Sequence, residues 1–374
     1  MINGYRRVSR KSPCRICGKP DWCSTTRDNN IAFCARSATN ADRLSINGWG
    51  IFYDDRRGPS RGVYRQPKRI FKRAKATSVA PIEIRNWIYQ RLIKLSPLPA
   101  NFEMVYGDAW LFRQGLDSGR CGILPKLATE RHRLVRLLSE LLVKEGGTIP
   151  PFDGVPGFWR GSNRRPRLGS DFDYDADLLL IPFLDSSGLI QACQLKVIGR
   201  AKNTHGKYQW LSSIGKLQGC SSGTPLHHEG SVSFRQGTIE TVLVTEGVLK
   251  AATAQNFMPD RYVVANGGVA TTHQEIVKAA RQKILEIAFD ADCSTNPHVA
   301  RAMASLLALR LREQRFLSCD KPTQIIAWDK RFKGIDDALI AGASLKYLDV
   351  SDWLGLLTPE CFDEASHQLG GIFP

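Results

Sequence analysis

Between residues 241 and 328 the sequence alternates between two kinds of segment, and no other feature constrains the fold as tightly. Residues 241–245, 262–265, 284–289 and 323–328 are largely apolar segments of strand length. Helical stretches separate them at 248–255, 272–283 and 297–315, the last with Val299, Met303, Leu306, Leu307 and Leu311 along one face. Runs without polar alternation belong to strands covered on both faces, and intervening helices allow parallel pairing. The pattern therefore predicts an α/β fold, a parallel sheet flanked by helices.

In such sheets chemistry collects at the carboxyl ends of the strands. Three acidic groups fall there: Glu246 after the first strand, Asp290 and Asp292 after the third, and Asp336-Asp337 shortly after the fourth. An extended chain would point Asp290 and Asp292 the same way. Clustered carboxylates repel unless cations neutralise them, and Mg²⁺ takes one or two carboxylates plus phosphate oxygens. One acid at a strand end is often only a helix cap; the whole ordered set favours chemistry.

Cys14, Cys17, Cys23 and Cys34 fall within 21 residues, while the other six of the ten cysteines are scattered. That distribution argues against a secreted disulfide scaffold. The knuckle Cys14-Arg-Ile-Cys17-Gly18 can grip a tetrahedral ion, and Cys23 and Cys34 would complete the set. No histidine precedes His132, so a site here is all-cysteine. Structural zinc is the favoured reading over chance clustering or a reactive Cys-x-x-C pair. Zinc would also let a segment with few core hydrophobes fold.

Of 52 Lys+Arg and 36 Asp+Glu, residues 1–75 hold 18 and 5, so most of the formal charge of +16 sits at the front. From Arg56 to Lys75 there are nine basic residues and no acid. That run reads either as a solvated linker or as a polyanion-binding segment, with nucleic acid favoured over membrane. The opening residues lack an apolar run and no stretch is long enough to span a bilayer, so secretion and membrane insertion are not expected and a cytoplasmic protein is. Residues 81–150 read as helical and as core, with Ile84, Ile88, Leu92 and Leu95, then Leu134, Leu137, Leu138, Leu141 and Leu142, at helical spacing. Residues 178–184 and 189–197 look like strands joined by a turn at 185–188. No acid occurs between Asp185 and Glu229, while Lys196, Arg200, Lys202, Lys207 and Lys216 do, with Tyr208 and Trp210 among them. Such a surface is either a cradle for single-stranded nucleic acid or a lysine-protected sheet edge.

At Val244-Thr-Glu246-Gly247, Phe289-Asp290-Ala-Asp292 and Lys333-Gly-Ile-Asp336-Asp337 the sequence resembles the Toprim domain of bacterial-type primases, topoisomerases and some nucleases. Asn266-Gly267-Gly268 occupies the place of that family's glycine-containing loop. Upstream, the 181–196 and 207–213 stretches are similar to the basic half of the primase polymerase domain. Gly154-Val-Pro-Gly-Phe158, Thr224-Pro-Leu-His227 and the N-terminal cysteines resemble a primase-like family of plasmids, phages and integrated elements. The likeness reaches nearly the whole chain up to about residue 350; the cysteine spacing departs from the Cys/His arrangement of replicative primases.

The resemblance implies a zinc-ribbon-like module at 1–55, a basic linker at 56–80, a helical segment at 81–150, a basic α+β template-binding subdomain at 151–235, a Toprim catalytic domain at 236–350 and a tail at 351–374. It implies Mg²⁺ or Mn²⁺ on Asp290 and Asp292, with Asp336 and Asp337 as outer or second-metal ligands and Glu246 as ligand or base. Lys196, Lys202, Lys207 and Tyr208 would meet template; Asn266, Gly267 and Lys333 fall among the nucleotide-binding positions. Lys250, one turn after Glu246, would either meet a phosphate or be a surface lysine. The function implied is a DNA primase of a mobile element, making short RNA primers on single-stranded DNA from nucleoside triphosphates beside a separate replicative helicase. No G-x-x-x-x-G-K-[ST] occurs, against a built-in ATPase, and a topoisomerase would need more chain than remains. The rival class is a non-catalytic DNA-binding or recombination-mediator-like protein.

Overall fold

The computed structural model describes residues 5–27, 30–37, 41–45, 49–53, 77–106, 118–148, 152–198, 208–229 and 238–370. The basic run at 56–75, and with it Lys202 and Lys207, lies outside the described residues. The chain divides into two compact units, Met1–Lys75 and Ala76–Pro374.

The first unit is an antiparallel sheet of β1 (Tyr5–Arg7), β2 (Ser24–Thr26), β3 (Ile31–Cys34), β4 (Arg43–Leu44) and β5 (Gly50–Tyr53), in the order β1-β2-β3-β5-β4. Alternation along β3 turns Ala32 and Cys34 inward. The interior consists of Cys14, Cys23 and Cys34, with Val8, Ile16, Cys17, Ala35 and Phe52 packed against them. A core this small needs a staple to hold it.

The second unit begins with α1 (Ile82–Leu95), α2 (Phe102–Tyr106), β6 (Gly122–Leu124) and α3 (Ala128–Gly146). The all-helical expectation for 81–150 is corrected at β6, which pairs antiparallel with β9 and forms a sheet edge. A hairpin of β7 (Phe158–Arg160) and β8 (Pro166–Leu168) follows. Then β9 (Leu178–Leu184), β10 (Ile190–Val197) and β11 (Tyr208–Trp210) complete a sheet ordered β11-β10-β9-β6. The β9–β10 turn is closed by Asp185, whose Oδ1 accepts from the amides of Ser187 (2.8 Å) and Leu189 (2.9 Å).

β9 is apolar throughout because both its faces are covered. Leu178 and Leu180 join a core with Ile88 and Leu92 of α1 and Leu134, Leu138 and Leu142 of α3. Leu179, Ile181 and Phe183 pack on the other side with Val248, Leu249 and Ala252, which belong to the first helix of the parallel sheet. On α3, Leu137 is exposed, and the buried face instead includes Arg131. The Arg131 guanidinium donates to the carbonyls of Pro125 (2.6 Å), Lys126 (2.5 Å), Ser170 (3.0 Å) and Phe172 (2.6 Å) and lies over the Tyr174 ring. Those carbonyls compensate the burial of a charge.

The remaining strands are β12 (His227–His228), β13 (Thr241–Glu246), β14 (Tyr262–Asn266), β15 (Ile284–Ala288), β16 (Thr323–Ala327) and β17 (Lys346–Leu348). They form one sheet ordered β12-β14-β13-β15-β16-β17. The four central strands are parallel and both edges antiparallel, so the expected parallel α/β sheet is present with an added strand on each side. Helices α4 (Val248–Phe257) and α7 (Ile335–Ile340) cover one face. Helices α5 (His273–Ala279), α6 (Pro297–Leu317), α8 (Val350–Gly355) and α9 (Pro359–Leu369) cover the other. The segment after 350 is thus not an appendage: Trp353, Cys361, Ala365 and Leu369 are buried in the larger core.

Candidate active site

The carboxyl ends of the central strands meet along one edge of the parallel sheet. Glu246 ends β13 in register with Asn266, which ends β14. Gly247 follows with φ of +88°, a turn that costs glycine little, and its amide donates to Asn266 O (3.0 Å). Beyond β15, Asp290 precedes a short turn at Ala291–Ser294 that carries Asp292. The Ala291 amide donates to Lys333 O (2.9 Å), which ties the 333–334 loop beside the two aspartates. Asp336 and Asp337 then open α7. Three separate loops therefore bring Glu246, Asp290, Asp292 and the Asp336 pair to one rim.

Burial differs among these groups. Asp290 and Asp336 are buried, Glu246 and Asp292 half-buried, and Asp337 exposed. Burial, reinforced by Asp290, raises the Glu246 carboxyl above its ordinary range although Lys250 pulls the other way. Burial likewise raises Asp336, again against Lys250. Asp292 Oδ2 accepts from Asn296 Nδ2 (3.3 Å), while its buried Oδ1 has no hydrogen-bond partner among the described residues. Asn266 is 0% exposed, and neither its Oδ1 nor its Nδ2 has a partner there. Buried polar atoms without partners are costly, so both side chains are suited to an incoming polar ligand.

Two lysines face the acids. Lys250, on the first turn of α4, ion-pairs with Asp290 Oδ1, and Lys333 Nζ stands 3.7 Å from Asp290 Oδ2. Lys250 is thus not the lone surface lysine its spacing allowed. Gly334 makes this approach possible, because a side chain there would collide with the Asp336 carboxylate and the Lys250 chain. An all-oxygen donor set with an orphaned Asp292 oxygen fits a hard divalent cation. Glu246, Asp290, Asp292 and Asp336 are the residues that could hold it.

The template-binding residues divide. Lys196 lies on β10 and is only 4% exposed, so it is an interior lysine rather than a surface grip. Its partner in register, Tyr208, is exposed. Gln194, on the same face as Lys196, donates through Nε2 to Gly267 O (3.3 Å), and Trp210 packs on Gly267 so closely that no side chain would fit. The β9–β10–β11 sheet therefore abuts the loop that begins with Asn266. Sequence reading missed a second polar lock nearby. Arg120 clamps Glu229 with two bonds (2.6 and 2.7 Å), and His227 Nε2 meets the same carboxylate at 2.8 Å while its Nδ1 accepts from the Leu184 amide.

In the N-terminal unit the four sulfurs of Cys14, Cys17, Cys23 and Cys34 lie within 4.8 Å of one another, and among the described residues no other group of three or more potential ligands converges so. Cys17 and Cys23 are 3.7 Å apart and Cys23 and Cys34 3.9 Å. A tetrahedral zinc with bonds of about 2.3 Å has sulfur–sulfur edges of about 3.8 Å, so the cage has the right size. The Ser37 amide donates to Cys34 Sγ (3.3 Å). Burial raises the Cys23 thiol to about 12, whereas at Cys17 the Lys19 amide and neighbouring thiols outweigh burial and bring it to about 7.

No protein-family model matches the chain, and no curated protein matches it. Among solved structures it is similar to the Aquifex aeolicus primase, zinc-binding and RNA polymerase domains (14% identity, 79% of this chain and 73% of that one, TM-score 0.47). It is also similar to the RNA polymerase domain of Mycobacterium tuberculosis primase DnaG (15%, 78% and 99%, TM-score 0.49) and to a DNA primase domain from Pseudomonas aeruginosa (18%, 70% and 74%, TM-score 0.44).

Proposed function

We propose that this chain is a DNA primase, joining ribonucleotides on a single-stranded DNA template by nucleotidyl transfer. The observation that carries the reading is the rim itself: Glu246, Asp290, Asp292 and Asp336 on successive loops of one parallel sheet, beside the sheet of β9, β10 and β11, which abuts Asn266-Gly267. In the reaction a 3′-hydroxyl attacks the α-phosphorus of a nucleoside triphosphate, a new P–O bond forms, and pyrophosphate leaves. A divalent cation bound at the carboxylates would offset the charge that develops on the phosphoryl oxygens.

The chain's own residues supply the rest. Glu246, with its raised carboxyl, is suited to take the proton of the attacking hydroxyl. Asn266 offers an unpaired amide to the nucleotide, and exposed Lys333 offers a charge to its phosphates. Tyr208 presents a ring on which a template base can stack. Lys202 and Lys207, which precede Tyr208 in the sequence, belong to this reading by charge alone. The four-cysteine unit would hold one structural zinc. A separate helicase and a mobile-element setting rest on the sequence resemblance.

The test is primer synthesis on single-stranded DNA with labelled ribonucleotides and Mg²⁺ or Mn²⁺. Asp290→Ala and Asp292→Ala should each lower synthesis at least about a hundredfold, while leaving DNA binding unchanged. Tight DNA binding by the wild-type chain without any primer under either metal would instead assign it to the non-catalytic DNA-binding class.

A further inference from the structure

Lys250 occupies an unusual place for a lysine at a metal-type carboxylate rim. Its ammonium ion-pairs with Asp290 Oδ1, and its side chain is only 20% exposed. Its carbon stem also passes beside the Asp336 carboxylate, so the lysine stands against acids from two different loops. Gly334 leaves room for its methylene stem beside Asp336. Lys333, by contrast, is 75% exposed and reaches Asp290 only at 3.7 Å, where water screens it. Among the described residues no three carboxylates close to within 4.8 Å of one another.

These observations fit one account. Buried carboxylates on neighbouring loops repel, and some cation must hold the rim together before any ion arrives. We propose that Lys250 is that built-in counter-cation, and that a divalent ion reaches Asp290 only by displacing it. Ion entry and lysine release are then a single exchange, which frees the ammonium to swing toward the phosphates of a nucleotide. Resting on the reading of the rim as a metal centre, the inference adds that the chain weakens its own metal affinity in exchange for a preformed, neutralised site.

The experiment is Mn²⁺ titration of the zinc-loaded full chain without nucleotide, followed by the loss of the free-ion paramagnetic resonance signal. Lys250→Met should bind Mn²⁺ roughly tenfold more tightly than wild type, and Lys250→Arg should bind like wild type. Melting should add a second signature: Lys250→Met melts below wild type without Mn²⁺ and recovers when it is added. Lys250→Gln serves as the neutral variant if the methionine form does not fold. Equal or weaker Mn²⁺ binding by both neutral variants, with wild type still binding, overturns the counter-cation role alone. Wild type binding no more Mn²⁺ than Asp290→Asn would overturn the metal reading of the rim and this inference with it.

Discussion

His227 and His228 form the short edge strand β12, and both are held neutral by where they sit. Burial lowers the His227 imidazole, which already has fixed roles: Nδ1 accepts the Leu184 amide, so Nε2 carries the proton toward Glu229. His228 is pushed from 6.5 down to about 4, by burial first and by its neighbour His227 second, and pairs with Tyr262 Oη at 2.8 Å. A histidine with a lowered folded value contributes stability that is complete above the unfolded value and lost as pH falls toward the folded one. For His228 the window is 6.5 down to about 4. Glu246 and Asp336 act in the opposite sense, since their raised carboxyls relieve repulsion as pH falls. The histidine contribution is isolated by comparing variants: at pH 5 it amounts to about 2 kcal/mol. Urea midpoints should therefore drop less between pH 7.5 and pH 5 in His228→Gln than in wild type. An identical drop in both proteins would mean that His228 titrates normally in the folded chain.

At the scale of elements, the N-terminal sheet has the weakest claim to independent stability. Its strands are two to four residues long and its interior is chiefly cysteine. One ion bound by the four thiolates would turn its binding energy into folding energy. Metal analysis should find about one zinc per chain, and Cys14→Ser or Cys34→Ser should reduce that content sharply and expose the unit to protease. Zinc content unchanged in both variants would remove these cysteines from the ligand set. Other elements were legible for a simple reason. Runs such as 178–184 and 242–244 are apolar on both faces because both faces are covered, and that leaves a local signature. The turn at Asp185 and the cap of α6, where Asn296 accepts from the His298 amide (3.1 Å), are equally local. What stayed hidden depends on partners far along the chain. The spacing of Leu137 gave no sign that Arg131 would take the inner face, since two of its four carbonyl acceptors, Ser170 and Phe172, come from a loop some forty residues on. Strand β6 is three residues long and acquires its identity only by pairing with β9. Lys196 looked like a surface charge in an acid-free stretch, yet it is interior because β10 is sandwiched. Lys250 could be placed one turn after Glu246, but its ion pair needs Asp290, forty residues on.

Across the whole molecule, charge and chemistry are separated in the sequence. The unit ending at Lys75 carries a net +13, the remaining 299 residues only +3, and the latter include every carboxylate of the rim. A protein that must hold a polyanion and also concentrate carboxylates around a reaction centre benefits from keeping the two apart, because attraction to phosphate acts at long range and metal coordination does not. The nine basic residues at 56–75 are the densest part of that front. Counterion release makes the logarithm of affinity fall linearly with that of salt, with a slope of about −0.7 per neutralised phosphate on single strands. If every one of the nine met a phosphate, deletion of the run would flatten the slope by about 6, which is an upper bound. We expect a loss of several units in slope, read by fluorescence anisotropy of labelled single-stranded DNA between 50 and 300 mM salt. Affinity at the highest salt should change far less than at the lowest. A slope that stays the same after deletion would make the run a tether, and would shift the grip on template to the exposed ring of Tyr208 and the basic residues around it.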